Sequence, residues 1–223
     1  MGRLRLVLVR HGITDWNREG RFQGHLDPPL SDVGRREAAL VARRVAADPD
    51  LRPGRILSST LARAFETATA IGDACGVPVE GDARLIEIGQ GEWEGRTHDE
   101  IARTDAARYE VWRTTDGLPP GGETIESTLE RLGAAVADLG DDPGSDETVV
   151  IVSHGGTIRV LARLLLELSP RRSWALDVDN ASVCVLDRLD GTWRVERWND
   201  THHLLGRAPL HVEEGAEGRP LAL

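Results

Sequence analysis

Residues 6–17 read LVLVRHGITDWN, an apolar run that ends without warning in an arginine, a histidine and a glycine. A stretch of Leu and Val with no polar alternation is a strand covered on both faces, as a central strand of a parallel sheet must be. Arg10 and His11 then fall where that strand leaves the sheet. Residues 147–156, ETVVIVSHGG, repeat the design with a second buried run, His154 and a glycine pair. A strand that carries a histidine to its carboxyl end twice in one chain sets the fold class.

Helical periods alternate with the strands. SDVGRREAALVARRVAA (31–47) reads as a helix with Ser31 at its N-cap, GRILSS (54–59) as a short strand, and TLARAFETATAIGDA (60–74) as a helix whose Leu61, Ala64, Phe65, Ala68 and Ile71 share one face. VPVE and ARLIE are short extended pieces, ETIESTLERLGAAVADL (123–139) is an amphipathic helix, and GGTIRVLARLLLEL (155–168) is a helix that follows the second buried strand. ASVCVLDRLDGTWRVERWN forms a hairpin around Asp190-Gly191. These units predict an α/β protein: one domain over residues 1–223, a three-layer α/β/α sandwich with a mostly parallel sheet and an antiparallel edge. Residues 95–123 are the least regular, and Pro119-Pro120-Gly121-Gly122 stops any helix, so this insertion reads as a covering loop and a candidate lid.

The charge balance limits the partners. With a net charge of −10, the 223-residue chain has no diffuse attraction for nucleic acid or anionic membranes, so any anionic ligand needs a local cationic pocket. All 27 basic residues are arginine, the side chain whose planar fork grips phosphate oxygens in pairs. Cys75 and Cys184 lie in a helical and a strand pattern and read as buried thiols of a reducing compartment. The apolar run at the N-terminus is too short for a signal peptide, and no run elsewhere spans a bilayer, so a cytoplasmic protein is expected.

In a parallel sheet, ligands bind beyond the carboxyl ends of the strands. That rule brings Arg10, His11, Arg63 and His154 together from three strand-to-helix junctions. Arginine forks, imidazoles and the amides of helix N-termini gathered in one place suit an anion, and phosphate fits best. One imidazole there could also attack phosphorus, while the remaining cations neutralise the equatorial oxygens. A carboxylic acid must then protonate the departing oxygen. Glu87, at the end of ARLIE, is the candidate, with Glu92 and Glu94 as competitors.

The run LVRHGITDWNREGRFQGHLDPPLSDVGRREA, followed in order by SSTLARAFETA, LIEIGQGEWEG and VSHGG, resembles the histidine phosphatase superfamily, the phosphoglycerate mutase-like family, over roughly residues 4–200. The resemblance implies that His11 is the nucleophile, that Arg10, Arg63 and His154 hold the transferring phosphoryl group, and that Glu87 is the proton donor. Asn17, Gln23 and Gly24 match the family's supplementary phosphate and substrate contacts. No metal or organic cofactor is implied. IGQGEWEGRTHDEI follows the acid where mutases carry a different segment, which favours the phosphatase branch. That branch implies a metal-independent phosphomonoesterase of histidine acid phosphatase type acting on a small phosphorylated metabolite. The C-terminal stretch resembles members that dephosphorylate glucosyl-3-phosphoglycerate. A phosphoglycerate mutase and a phosphate-binding regulatory module without activity are the rivals.

Other residues carry weaker expectations. Trp16 and Trp93 are candidate pocket walls, while Trp174, Trp193 and Trp198 suit the packing of the sheet or an interface. Tyr109 and Trp112 could stack on substrate or on the body of the protein. His202 and His203 are adjacent and lack a third ligand at metal spacing, so they read as packing residues, His203 near the mouth of the site. The aromatic C-terminal hairpin offers an edge for a homodimer.

Overall fold

The computed structural model describes residues 2–114, 117–139 and 146–205. In chain order the regular elements are β1 (Leu4–Arg10), α1 (Asp15–Arg18), α2 (Asp32–Ala47), β2 (Arg55–Ser58), α3 (Ala62–Cys75), β3 (Val79–Gly81), α4 (His98–Thr104), α5 (Ala106–Thr114), α6 (Ile125–Ala137), β4 (Glu147–Ser153), α7 (Gly155–Leu165), α8 (Pro170–Trp174), β5 (Val183–Leu189) and β6 (Thr192–Asp200). The strands form one sheet in the order β3-β2-β4-β1-β5-β6. β1, β2, β3 and β4 pair in parallel, and β5 and β6 add the antiparallel edge.

Side chains alternate across a pleated strand, and here each face buries its own core. Leu4, Leu6 and Leu8 of β1 join Val149 and Ile151 of β4 and pack against Leu132 of α6 and Ile158 and Leu161 of α7. Val7 and Val9, with Val150 and Val152, pack against Val41 and Val45 of α2 and Ala64, Ala68 and Ile71 of α3. The three expected layers are present. Trp174, Trp193 and Trp198 pack partly buried against the first of these cores. The hairpin turns at Asp190 and Gly191, both at positive φ (52° and 76°), the backbone that a two-residue turn between twisted strands requires.

Two expectations fail, each for a local reason. ARLIE does not extend: the Asp82 side chain accepts from Arg84 N at 2.8 Å and starts a 3₁₀ turn, Ala83–Leu85, so Glu87 follows a turn and not a strand. The insertion at 95–123 is not a plain loop, because α4 and α5 lie within it. Thr97 and Glu100 close a reciprocal capping box at the start of α4. Behind it, Phe22, Trp93 and Ile101 form a small core with Tyr109 and Trp112 packed on it. Trp93, fully buried there, belongs to this cluster and not to a pocket wall. The Pro-Gly run stays non-helical as expected.

One polar contact ties the antiparallel edge to the centre of the sheet. Arg5 of β1 stands opposite Asp187 of β5, and Nε and Nη2 reach the two carboxylate oxygens at 2.7 and 2.6 Å, with both residues buried. Removing Asp187 leaves the buried Arg5 only Asp50, whose carbonyl accepts from Nη1 at 3.1 Å and whose exposed carboxylate stands 3.9 Å away, so Asp187→Ala is expected to lower unfolding stability by about 3 kcal/mol. Urea denaturation of the two proteins measures it, and a loss below about 1 kcal/mol would mean that water reaches Arg5.

Candidate active site

The ladder between β1 and β4 ends at Arg10 opposite Ser153, and His11 N adds one more bond, to Ser153 O at 3.0 Å. On the other side of β4, Ser59 N donates to Val152 O at 3.0 Å. The residues just past β1, β4 and β2 are thereby fixed side by side. The rings of His11 and His154 lie 5.1 Å apart, edge to face at 61°. Arg63, in the first turn of α3, has no exposed surface, and Arg10 is nearly as buried.

Hydrogen bonds fix the state of the His11 ring. Nδ1 lies 2.7 Å from Gly12 O, and a carbonyl can only accept, so in the neutral imidazole Nδ1 carries the proton and Nε2 the lone pair. Burial, then the charges of Arg63 and Arg10, hold His11 well below the ordinary imidazole pKa. Burial and the same neighbours do the same to His154, whose Nε2 meets Ser59 Oγ at 2.8 Å. Burial also brings Arg63 down to about 10 against the pull of Glu87 and Asp27, which leaves it charged at neutral pH.

The arginines are aimed by backbone carbonyls. Arg63 donates to Leu26 O (2.8 Å) and Gly24 O (3.0 Å), and Arg10 donates to Val178 O (2.7 Å). Arg63 Nε and His154 Nδ1 are buried with no hydrogen-bond partner among the described residues. An orphaned buried polar atom costs about 1–3 kcal/mol.

Glu87 pairs with neither Arg84 nor Arg96. Its Oε1 accepts from Thr157 N (3.0 Å) and Ile88 N (2.9 Å), and its Oε2 accepts from Gly156 N (3.2 Å), while the Thr157 hydroxyl has the nearer acceptor in Ile86 O (2.7 Å). Gly156 makes this approach possible, since a Cβ there would stand 2.8 Å from Oε1. The N-terminal amides of α7 therefore hold a carboxylate of the protein. α3 does likewise, with Ala62 N donating to Asp27. The expectation that these helix ends wait for a ligand is corrected: their first amides are taken by the protein's own carboxylates, and the guanidinium groups of Arg10 and Arg63 are the cationic groups beside His11 and His154.

The residues expected as supplementary contacts join the chain that follows His11. Asn17 Oδ1 accepts from Thr14 N at 3.1 Å, and the single Thr14 hydroxyl proton has Asn17 Oδ1 (3.0 Å) and Gln23 Oε1 (3.2 Å) within reach. Gly24, at φ 49°, contributes its carbonyl to Arg63. Of the competitors for the acid, Glu94 is engaged by His25 N and Gln90 N. Sequence reasoning missed Ser59, Thr157 and Asn180. Asn180 Nδ2 donates to His11 O at 3.0 Å, and Ala181 N donates to the same carbonyl at 3.1 Å. For Ser59 and Thr157 the signal was position, since each adjoins a strand end or helix start already assigned to the site; Asn180, ahead of β5, had none. His203 Nε2 donates to Ala181 O at 3.0 Å, close behind His11. No group of three or more potential metal ligands occurs among the described residues. No helix among them is long and apolar enough to cross a membrane.

The pattern of the histidine phosphatase superfamily (branch 1) matches residues 6–201. The chain is 38% identical over 215 residues to the glucosyl-3-phosphoglycerate phosphatase of Mycolicibacterium vanbaalenii, covering 87% of this chain and 94% of that one. It is 36% identical over 204 residues to phosphoglycerate mutase-like protein 4 of Arabidopsis thaliana, covering 89% and 86%. Among solved structures, mycobacterial glucosyl-3-phosphoglycerate phosphatase in complex with VO3 superposes with a TM-score of 0.78 at 37% identity, over 88% of this chain and 99% of that one.

The lowered imidazole pKa values have a measurable consequence. Between the folded-state pKa and the ordinary value near 6.5, the unfolded chain binds the proton and the folded chain does not, so stability rises with pH across that window and is lost on acidification. Each buried imidazole contributes about 1.4 kcal/mol per pH unit there. Nitrogen-15 NMR should find His11 and His154 neutral from pH 8 down through 6.5. A midpoint at the ordinary value for either ring would show that water reaches it.

Proposed function

The chain belongs to the histidine phosphatase superfamily, and we propose that it is a metal-independent phosphomonoesterase that hydrolyses a small phosphorylated metabolite through a phosphohistidine on His11. One observation carries this reading: the bond from His11 Nδ1 to Gly12 O leaves Nε2 as the lone-pair nitrogen of a neutral ring, among buried cations that can receive a phosphoryl group.

In the first step Nε2 attacks phosphorus. The Nε2–P bond forms, the P–O bond to the leaving group breaks, and Glu87 supplies the proton that the departing oxygen takes. Arg10, Arg63 and His154 meet the charge on the equatorial oxygens, held in place before substrate arrives by their carbonyl and serine partners. In the second step Glu87 accepts a proton from water, the oxygen attacks phosphorus, and Nε2 leaves as the neutral imidazole. Asn17, Gln23 and Gly24 border the phosphoryl site in this scheme and orient the substrate.

The phosphatase-named relatives make glucosyl-3-phosphoglycerate the first substrate to test. The decisive experiment measures phosphate release with chelator present across glucosyl-3-phosphoglycerate, 3-phosphoglycerate, sugar phosphates and nucleotides, with His11→Ala in parallel. Acid-labile phosphate should be trapped on the wild type and not on the variant. Glu87→Gln should slow hydrolysis of alkyl phosphates by about a hundredfold or more, and aryl phosphates less, because a phenolate needs little help to leave. Interconversion of 2- and 3-phosphoglycerate with little free phosphate would replace this reading with a mutase.

A further inference from the structure

The turn after His11 is gripped by the N-terminal half of α2. The two backbones meet so closely that a Cβ on Gly12 would fall 2.4 Å from Gly34 O, and one on Gly34 would fall 2.1 Å from Ile13 O. Ser31 donates to Ile13 O twice, from its backbone N at 3.1 Å and from Oγ at 2.9 Å. The Ile13 N–H donates to Glu37 Oε2 at 2.8 Å. Ser31, Gly34 and Glu37 recur every third residue, so one face of the helix makes every one of these contacts.

The bond to Glu37 matters because of what shares its amide. Ile13 N and Gly12 O belong to one peptide unit, which is planar and rigid. Its oxygen accepts from His11 Nδ1 at 2.7 Å, and its N–H is held by the carboxylate. An imidazole oriented through its second nitrogen depends on the group that fixes that acceptor. Drawing on the N–H also enriches the carbonyl oxygen, through the amide resonance that makes hydrogen-bond chains cooperative.

We propose that Glu37 is a positioning residue for the nucleophile: acting through the Gly12–Ile13 peptide, it fixes the carbonyl that holds His11 Nδ1 and so keeps Nε2 aimed at phosphorus. The reaction it serves rests on the phosphatase reading; the orientation of the ring does not. Glu37 touches no reacting atom in this account. Its effect belongs in the rate of phosphoryl transfer and not in substrate affinity.

The test compares wild type, Glu37→Ala and Glu37→Gln, with the far-ultraviolet circular dichroism of all three matched, by hydrolysis of p-nitrophenyl phosphate and by nitrogen-15 NMR of His11. Glu37→Ala should lower kcat roughly tenfold to hundredfold with KM within about twofold. Glu37→Gln, whose amide oxygen still accepts from Ile13 N–H, should return kcat to within about threefold of wild type. The NMR spectrum should show the Nδ1–H tautomer of His11 in wild type and Glu37→Gln, and a tautomer mixture in Glu37→Ala. An unchanged tautomer in Glu37→Ala, a rise in KM in place of the fall in kcat, or a glutamine variant as slow as the alanine one overturns the proposal. A wild type that hydrolyses neither this ester nor any phosphate ester of the substrate panel would sink the phosphatase reading, and the tautomer measurement would still decide on Glu37.

Discussion

Where β1 leaves the sheet, His11 N still donates to Ser153 O at 3.0 Å, one more rung on a parallel ladder of buried strands. That rung fixes the distance between two chain segments 143 residues apart and sets the His11 and His154 rings face to edge. Parallel neighbours deliver both residues at the same end of the sheet, and the chain then departs to opposite faces, through α2 after β1 and through α7 after β4. The gap left between the departing chains is where such sheets bind ligands. Every other part of the site refers back to this pairing. Arg63 enters because β2 lies on the far side of β4, and Asn180 and Ala181 enter because β5 lies on the far side of β1.

The position so created is electrostatically costly. Two arginines and two imidazoles share a volume from which water is nearly absent, and the protein answers in different ways. The imidazoles stay neutral because burial and the arginines oppose protonation. The arginines stay charged and are met by carbonyl dipoles, with Asp27 standing 3.6 Å from Arg63. Partial charges aim a guanidinium without cancelling it. Buried guanidinium groups that keep their charge suit an anion, which is how a pocket in a chain of net charge −10 can accept the phosphoryl group of the proposed reaction.

The legible parts of this arrangement were those that periodicity or junctions encode. Leu and Val runs gave β1 and β4, and the strand-end rule brought His11, His154, Arg10 and Arg63 together before any coordinate did. What escaped was set by side chains bonding locally. Asp82 turned an apparent strand into a 3₁₀ turn by capping Arg84 N, an event that residue propensities alone do not distinguish. The insertion hid α4 and α5 because its apolar residues are few and their partners, Phe22 and Trp93, lie elsewhere in the chain. Asn180 was unreadable for a similar reason: its partner is a backbone carbonyl, which no sequence pattern marks.

The capture of helix ends by carboxylates explains how one pocket can hold opposite functions close together. α7 presents its first amides to Glu87, and α3 presents Ala62 N to Asp27, so the positive ends of both dipoles are spent on the protein's own anions. Had those amides faced the phosphoryl site, they would have bound substrate and product phosphate alike, which lowers KM without raising the rate. Spent on Glu87, they lock the carboxyl group proposed to exchange protons into one orientation, because Gly156 admits the carboxylate and would exclude it if it carried a Cβ. In the proposed reaction the charge that meets phosphate comes instead from arginine forks, which offer paired donors to its oxygens. The helix amides thus hold the carboxylate of Glu87 and leave the guanidinium groups to the pocket, so in the proposed reaction the two sets of donors do not compete.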